Sequence, residues 1–353
     1  MTTALHPFPS FLHPPFGESY TSLPVTRDGV RLVPDGDLMT SGGPAFVELR
    51  IRTKGSGAEC RGICGLLPAA AFLDGTVRPH EKTLVSRLQR QETAVLADDG
   101  ALGKPVLLTA PSLAGFWGEL DGRFATGEEE TSFRGQNNDY KVRQFRSADE
   151  GTTPPVALNF PGPLVIADGH HRAETHARLA ERGVAKCAFV PVCIIGGDEL
   201  TIGAFTRVIT DERPPAALLP GLGVFFEHQR LAAPEAPRRA GEWLLVCQDA
   251  CYRLIRKADH DMSIDSEWLD HTVLPRAFGI TDTRTDERIS FEATPAPTSG
   301  LLRFGREAGR IYLCGFPLPV KSFFAEVRAG HCLPPKSTMF EPRVPSGLVV
   351  WRP

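Results

Sequence analysis

Residues 164 to 175 pack five kinds of reactive or binding chemistry into a short span. Asp168, Gly169, His170, His171 and Arg172 follow one another directly after an apolar run. The run Leu164 to Ala167 reads as a short buried strand, and Ala173, Ala177 and Ala180 then recur at helical spacing until Gly183. The junction therefore sets these polar residues where a strand feeds a helix N-terminus, whose unpaired N–H groups and positive dipole end favour an anion. Arg172 adds a planar fork for phosphate. Asp168 offers oxygen ligands of the kind Mg²⁺ prefers. The alternative is a polar turn with a capping acid and two surface histidines.

A second group is Pro79-His80-Glu81-Lys82-Thr83, directly before leucines and valines that recur among Arg, Gln and Glu from Leu84 to Leu96. That pattern predicts an amphipathic helix. Glu81 then serves either as a complement to the helix dipole or as a general base that deprotonates a hydroxyl, with His80 and Lys82 beside it. A third group, Lys336-Ser337-Thr338, follows the stiff pair Pro334-Pro335. It supplies a point charge and two hydroxyls. No glycine-rich loop precedes it, so it is not a Walker A motif; a surface turn before a last strand at 347–351 is the equal alternative.

The elements that must position these groups follow from the rest of the chain. Phe46 to Arg52 alternates like an edge strand, and Ile63 to Leu67, Val106 to Leu108 and Cys187 to Ile195 read as further strands. The last of these completes a strand–helix–strand unit around the Asp168 turn. Residues 1–43 form a proline-punctuated lead-in, and the polar, glycine-rich 126–155 reads as a mobile loop or lid. Past Pro214-Pro215, which predicts a boundary, Trp243 to Cys247, Tyr252 to Ile255 and Arg310 to Gly315 read as strands around a helix from Ser266 to Phe278. The whole predicts a mixed α/β chain, α+β in arrangement, with a catalytic core over 1–213 and a C-terminal α/β region over 214–353.

Composition narrows the classes. With 353 residues the chain exceeds one small core, and a net charge of −3 gives no general attraction to nucleic acid or anionic lipid. No apolar run approaches the ~20 residues that span a bilayer, and the N-terminus lacks the pattern of a signal peptide. Eight cysteines are too few for a disulfide scaffold, and the pairs Cys60/Cys64 and Cys247/Cys251 lack the spacing of zinc knuckles. Cys332, beside His331, reads as a loop residue. Trp117, Trp243, Trp268 and Trp351 read as core or rim. These features predict a cytoplasmic location, with neither nucleic acid nor membrane as partner.

Taken in order, Pro-His-Glu-Lys-Thr, Ile-Ala-Asp-Gly-His-His-Arg-Ala-Glu-Thr and Pro-Pro-Lys-Ser-Thr-x-Phe-x-Pro-Arg resemble the DUF1015 family over essentially the whole chain. Pro14-Pro15-Phe16 and the stretch from Ile264-Asp265 to Ile280 resemble further family landmarks. The chain departs at Phe16-Gly17, where relatives carry Tyr-Asp. It departs again at Phe205-Thr206-Arg207, where relatives have a His-Arg pair, and at Arg343, where lysine is commoner. These departures bear on the substrate pocket. The Asp168 to Arg172 box is also similar to the Gly-x-x-Arg box of the ParB and sulfiredoxin superfamily, which includes free-serine kinases.

That second resemblance implies a ParB/sulfiredoxin-like nucleotide-binding core and a nucleotide-dependent kinase acting on a small hydroxyl compound, free serine first among candidates. ATP or ADP with Mg²⁺ would be the cofactors. Gly169, His170, His171 and Arg172 would bind phosphates, Asp168 the Mg²⁺, and Glu81, with His80, His171 and Arg172, would act in catalysis. Lys336 with Ser337 or Thr338 would close on nucleotide or substrate. Three rivals stand beside this reading. They are a nucleotide-binding switch without transfer, a hydrolase using His80, His170, His171 and Asp168 as Zn²⁺ or Mn²⁺ ligands, and a scaffold.

Overall fold

The computed structural model describes residues 3–13, 39–40, 42–97, 102–126, 131–147, 153–158, 163–248, 250–258, 264–294 and 309–353. The chain is mixed α/β and divides into two compact units. The first holds Met1–Leu200 with Pro342–Pro353, and the second holds Thr201–Glu341. The division falls before the proline pair, and the end of the chain returns to the first unit. Pro214 and Pro215 open the helix Pro215–Leu222 instead of marking a boundary, since proline suits the first helical turn. The Pro14 to Gly17 landmark lies outside the described residues.

A nine-stranded mixed sheet forms the first unit. Its order is Val77–Arg78, Leu164–Asp168, Val106–Ala110, Phe189–Gly196, Glu59–Pro68, Phe46–Thr53, Asn138–Arg146 and Ala125–Thr126, with Thr131–Arg134 also on Asn138–Arg146. Phe46–Thr53 is thus an interior strand and not an edge. The expected lid is largely a hairpin, Thr131–Arg134 against Asn138–Arg146, because Tyr140, Val142 and Phe145 bury into the sheet. The strand–helix–strand unit also differs from expectation. Leu164–Asp168 runs antiparallel to Val106–Ala110, while Phe189–Gly196 lies parallel on its other side. The N-terminal end of that last run, Ala185–Cys187, is a 3₁₀ turn.

One face of this sheet carries a charge network. Arg50 and Arg61 lie directly opposite in register, a repulsive pair. Buried Glu48 resolves it by accepting from Arg50 Nε at 2.7 Å, Arg61 Nε at 2.6 Å and Arg143 Nε at 2.8 Å. Burial would raise the Glu48 carboxyl, but these three hydrogen bonds outweigh it and hold the pKa below its ordinary 4.5. A carboxyl depressed in the folded state stabilises the fold above its unfolded pKa, and that stabilisation fades as pH falls through the folded value. Glu48→Gln is therefore expected to cost on the order of 2 kcal/mol and to flatten the loss of stability below about pH 4.5. Urea titrations of both proteins between neutral and acid pH test this.

The second unit is built on a seven-stranded antiparallel sheet, Phe226–Leu231, Ala250–Arg256, Glu242–Cys247, Arg310–Gly315, Thr201–Thr210 and Ile289–Thr294, with Met339–Glu341 pairing the start of Thr201–Thr210. Its core gathers Trp243, Leu245, Leu254, Trp268, Val273 and Leu313. The helical run Asp265–Trp268 continues as Leu269–Phe278 with wider, π-type turns around Pro275, which cannot donate to the helical ladder. All eight cysteines are free thiols, seven of them buried and Cys332 exposed. The four tryptophans are buried. Among the described residues no helix is long and apolar enough to cross a membrane.

Candidate functional site

The strand Leu164–Asp168 carries a register shift between Ile166 and Asp168, a bulge that re-aims the strand end. On its outer side Val77–Arg78 pairs only with Leu164 and Val165. Pro79 then cannot donate to the ladder, and the Ile166 carbonyl is taken up by His80 Nδ1 at 2.6 Å. Because a carbonyl only accepts, Nδ1 carries the proton and Nε2 is the acceptor nitrogen. Burial pulls the His80 imidazole down to about 4, against the opposing lift of this hydrogen bond, so His80 is neutral at pH 7.

Gly169 precedes the helix His170–Glu181 with φ of 100°, a backbone region that costs other L-residues about 1–2 kcal/mol. Its missing side chain also matters, since a Cβ there would stand 2.6 Å from Arg172 Nη2. No side chain caps the helix, so the positive end of its dipole is turned toward the Gly169 corner. Gly169→Ala is expected to lower stability by ~1–2 kcal/mol and to displace the Arg172 guanidinium. Thermal denaturation together with phosphate-analogue binding tests both effects.

The first two motifs meet at this helix start. His80 and His170 pack edge to face with ring centroids 4.5 Å apart. Glu81 Oε1 lies 3.8 Å from His170 Nδ1. Thr83 Oγ1 donates to Glu174 Oε2 at 2.6 Å, and the Leu84 N–H donates to His171 Nε2 at 2.8 Å. His171 therefore acts as a neutral acceptor that anchors the next helix, Val85–Ala97, and not as a cation for phosphate. His80, Glu81 and His170 have ligand atoms all within 4.8 Å of one another, an imidazole–carboxylate set suited to Zn²⁺, Mn²⁺ or iron.

The charges gather around Asp168. Its Oδ2 is 3.1 Å from Lys104 Nζ and 3.3 Å from Arg172 Nη2. Burial would raise the carboxyl, but the charges of Lys104, Arg172 and Arg343 outweigh it and hold the pKa far below the usual carboxylate range. Lys104 is drawn below its ordinary value by burial, which outweighs the pull of Asp168. Arg172 also donates to the Pro105 carbonyl at 3.3 Å, while its Nε is buried with no hydrogen-bond partner among the described residues.

Three cations around one carboxylate leave a positive excess suited to an oxyanion. Asp168 Oδ2 is already shared by two of these cationic groups, which makes the carboxylate their counter-ion.

Sequence reasoning missed Lys104 altogether and took Arg343 only as a family variant. The returning C-terminal segment brings both into position. Leu102 and Trp351 exchange backbone hydrogen bonds, and the Gly347 N–H donates to the Gly103 carbonyl at 2.6 Å, fixing the turn that presents Lys104. A lone lysine between Gly103 and Pro105 carries no local signal of such a role. The third motif belongs to the second unit. There Lys336 has a φ of 61° and its Nζ stands 5.0 Å from the Phe205 ring centroid, Ser337 donates to the Pro334 carbonyl at 2.7 Å, and Thr338 is buried.

Among curated proteins none matches this chain. Among solved structures, SbnI with a C-terminal truncation, from Staphylococcus aureus, is 16% identical, with 80% of this chain and 84% of that chain covered and a TM-score of 0.45. A conserved hypothetical protein from Pyrococcus furiosus is 15% identical over 82% of this chain and 95% of that one, with a TM-score of 0.42. A free serine kinase in complex with ADP is 14% identical over 78% and 87%, with a TM-score of 0.41. The family described as a protein of unknown function, DUF1015, matches residues 30–275. That span takes in both the His80 to Thr83 segment and the Asp168 to Arg172 turn, and the chain belongs to the DUF1015 family.

Proposed function

We propose that the first unit binds the phosphates of a nucleotide and transfers a phosphoryl group to the hydroxyl of a small molecule. One observation carries the reading. Glu81 meets the start of the helix His170–Glu181, and the same helix start holds a cation cluster with a buried, unpartnered Arg172 Nε. Phosphoryl transfer needs positioning and charge neutralisation more than covalent chemistry.

Lys104, Arg172, Arg343 and the N–H groups of the first helical turn hold the phosphate oxygens. The acceptor oxygen attacks the terminal phosphorus as the bond to the leaving phosphate oxygen breaks, and Glu81 takes the hydroxyl proton. Neutral His80, tied to Ile166, packs against His170 and keeps the Glu81 segment in place. Mg²⁺ bound to the nucleotide would neutralise further charge, with no ligand role assigned to Asp168. The ParB/sulfiredoxin-like reading of this unit and the choice of free serine as first acceptor rest on the resemblance of the Asp168 to Arg172 box.

The test is incubation of the full chain with Mg²⁺, ATP or ADP, and a panel of serine, other hydroxy amino acids and polyols, followed by phosphorus NMR. A new phosphomonoester is expected. Nucleotide that binds and stays intact across the panel overturns transfer and leaves a nucleotide-binding switch. The cluster of His80, Glu81 and His170 favours a second reading, a metal-dependent hydrolase. Stoichiometric zinc or manganese in the purified protein, lost in His80→Ala, would select it.

A further inference from the structure

Three of the groups that meet at the Asp168 turn carry a chemistry that phosphoryl transfer does not use. Ligand atoms of His80, Glu81 and His170 lie within 4.8 Å of one another, and two imidazoles with one carboxylate are a set that suits Zn²⁺. The ligands are already oriented. The Ile166 carbonyl accepts from His80 Nδ1 at 2.6 Å, which makes Nε2 the ligand nitrogen. A ring N–H held by a backbone carbonyl is the outer contact that metal-ligating histidines commonly have. His170 packs edge to face on that ring and stands with Nδ1 3.8 Å from Glu81 Oε1. That separation is too long for a hydrogen bond. It is near the spacing of two ligands on one ion, since atoms 2.0–2.1 Å from zinc at a tetrahedral angle stand about 3.3–3.4 Å apart. Burial fixes the two histidines, His80 at 0% exposed and His170 at 6%, whereas the Glu81 side chain is 13% exposed. Glu81 is thus the ligand nearest solvent and the one able to swing.

We infer that His80, Glu81 and His170 form a reversible Zn²⁺ site that switches transfer off. The ion site rests on the cluster alone, and the switch rests on Glu81 as the base of the proposed transfer. A carboxylate oxygen bound to zinc has given its lone pair to the ion and no longer takes a proton from a hydroxyl. Asp168 does not replace it, because its Oδ2 is shared by Lys104 and Arg172. Those cations keep their places when zinc binds, so the ion lowers turnover and leaves phosphate binding intact. The donor set also selects the ion. Imidazole nitrogens suit zinc, whereas Mg²⁺ prefers oxygen, so the switch responds to zinc in the presence of the Mg²⁺ that accompanies a nucleotide.

Titration of the full chain with Co²⁺, whose visible absorption reports its ligands, followed by displacement with Zn²⁺, tests the site. One ion per chain is expected, with the Co²⁺ bands bleached by Zn²⁺ and unmoved by Mg²⁺. His170→Phe keeps a ring against His80 and removes the ligand nitrogen. It is expected to weaken the ion by more than the roughly 10–100-fold that loss of an outer partner costs. Single-turnover transfer at buffered free Zn²⁺, with Mg²⁺ and nucleotide in excess, is expected to fall by roughly a hundredfold or more, the scale of losing a positioned base, while nucleotide affinity stays within about twofold. If the melting temperature shows that His170→Phe does not fold, His80→Ala takes its place. No Co²⁺ spectrum, or one unchanged in the folded variants, overturns the site and leaves the transfer reading standing. Zinc that binds without slowing transfer overturns the switch, and zinc that turnover requires overturns it in favour of the hydrolase. A Co²⁺ spectrum in a protein that transfers nothing when metal-free overturns the kinase reading and the switch with it, but not the ion site.

Discussion

Glu81→Gln is expected to slow phosphoryl transfer by roughly 10²–10⁴-fold, the range for loss of a positioned general base, while nucleotide affinity stays within about twofold. The separation follows from where Glu81 sits. It lies 3.8 Å from His170, whereas Lys104 and Arg172 pair with Asp168, so losing its charge removes the proton acceptor and keeps the pairing around Asp168. Glutamine keeps the size and most of the packing beside His80. Single-turnover rates and equilibrium nucleotide titrations, run side by side, check the prediction. Equal losses in both would mean that Glu81 is part of the binding site, and a loss of bound metal would point to the hydrolase.

Arg172→Ala is expected to cost ~3 kcal/mol of transition-state stabilisation, about a hundredfold in rate, and here nucleotide affinity falls with it. The side chain does three things at once. It donates to Pro105, pairs with Asp168, and keeps a buried Nε without a partner. Asp168→Asn is the informative companion. If Asp168 is a counter-ion held among cations, its neutralisation raises the positive excess and tightens the binding of phosphate analogues in the absence of Mg²⁺. If it were the magnesium ligand, the same change would weaken nucleotide binding only when Mg²⁺ is present. Titrations with and without the metal separate the two.

Much of this was legible in the residues. The strand before Asp168, the helix after it and the stop at Gly183 follow from a local apolar period and a positive-φ glycine, both properties of short sequence windows. The helix Val85–Ala97 was equally plain. Position within a sheet was not, because Phe46–Thr53 alternates in sequence like an edge strand, although buried Glu48 on its polar side meets Arg50 of its own strand, Arg61 of the next and Arg143 of a strand far along the chain. The hairpin of 131–146 was masked by its polar composition, since Asp139, Lys141 and Arg143 alternate along it with the buried Tyr140 and Val142. At the site, the types of Glu81, Asp168 and Arg172 suggested chemistry. That Glu81 reaches the helix start, and that Lys104 and Arg343 join Arg172 around Asp168, depends on pairings between segments well separated in the chain. Those pairings have no local signature.

The second unit interrupts the first in sequence, leaving at Thr201 and returning at Pro342, and this has a consequence for synthesis. During translation, residues 1–200 emerge with the Asp168 turn and the Glu81 segment in hand, yet without Arg343 and without the partners of Leu102 and Gly103 that fix the Lys104 turn. About 140 residues must follow before those partners exist, and closing so long a loop is slow even though its entropy grows only gently with length. The nascent site thus holds its acids before its full set of cations. A protein arrested just short of Pro342 would keep Glu81 and Asp168 but lack Arg343 among the charges around Asp168, so the cation set is completed only by the segment that follows the second unit.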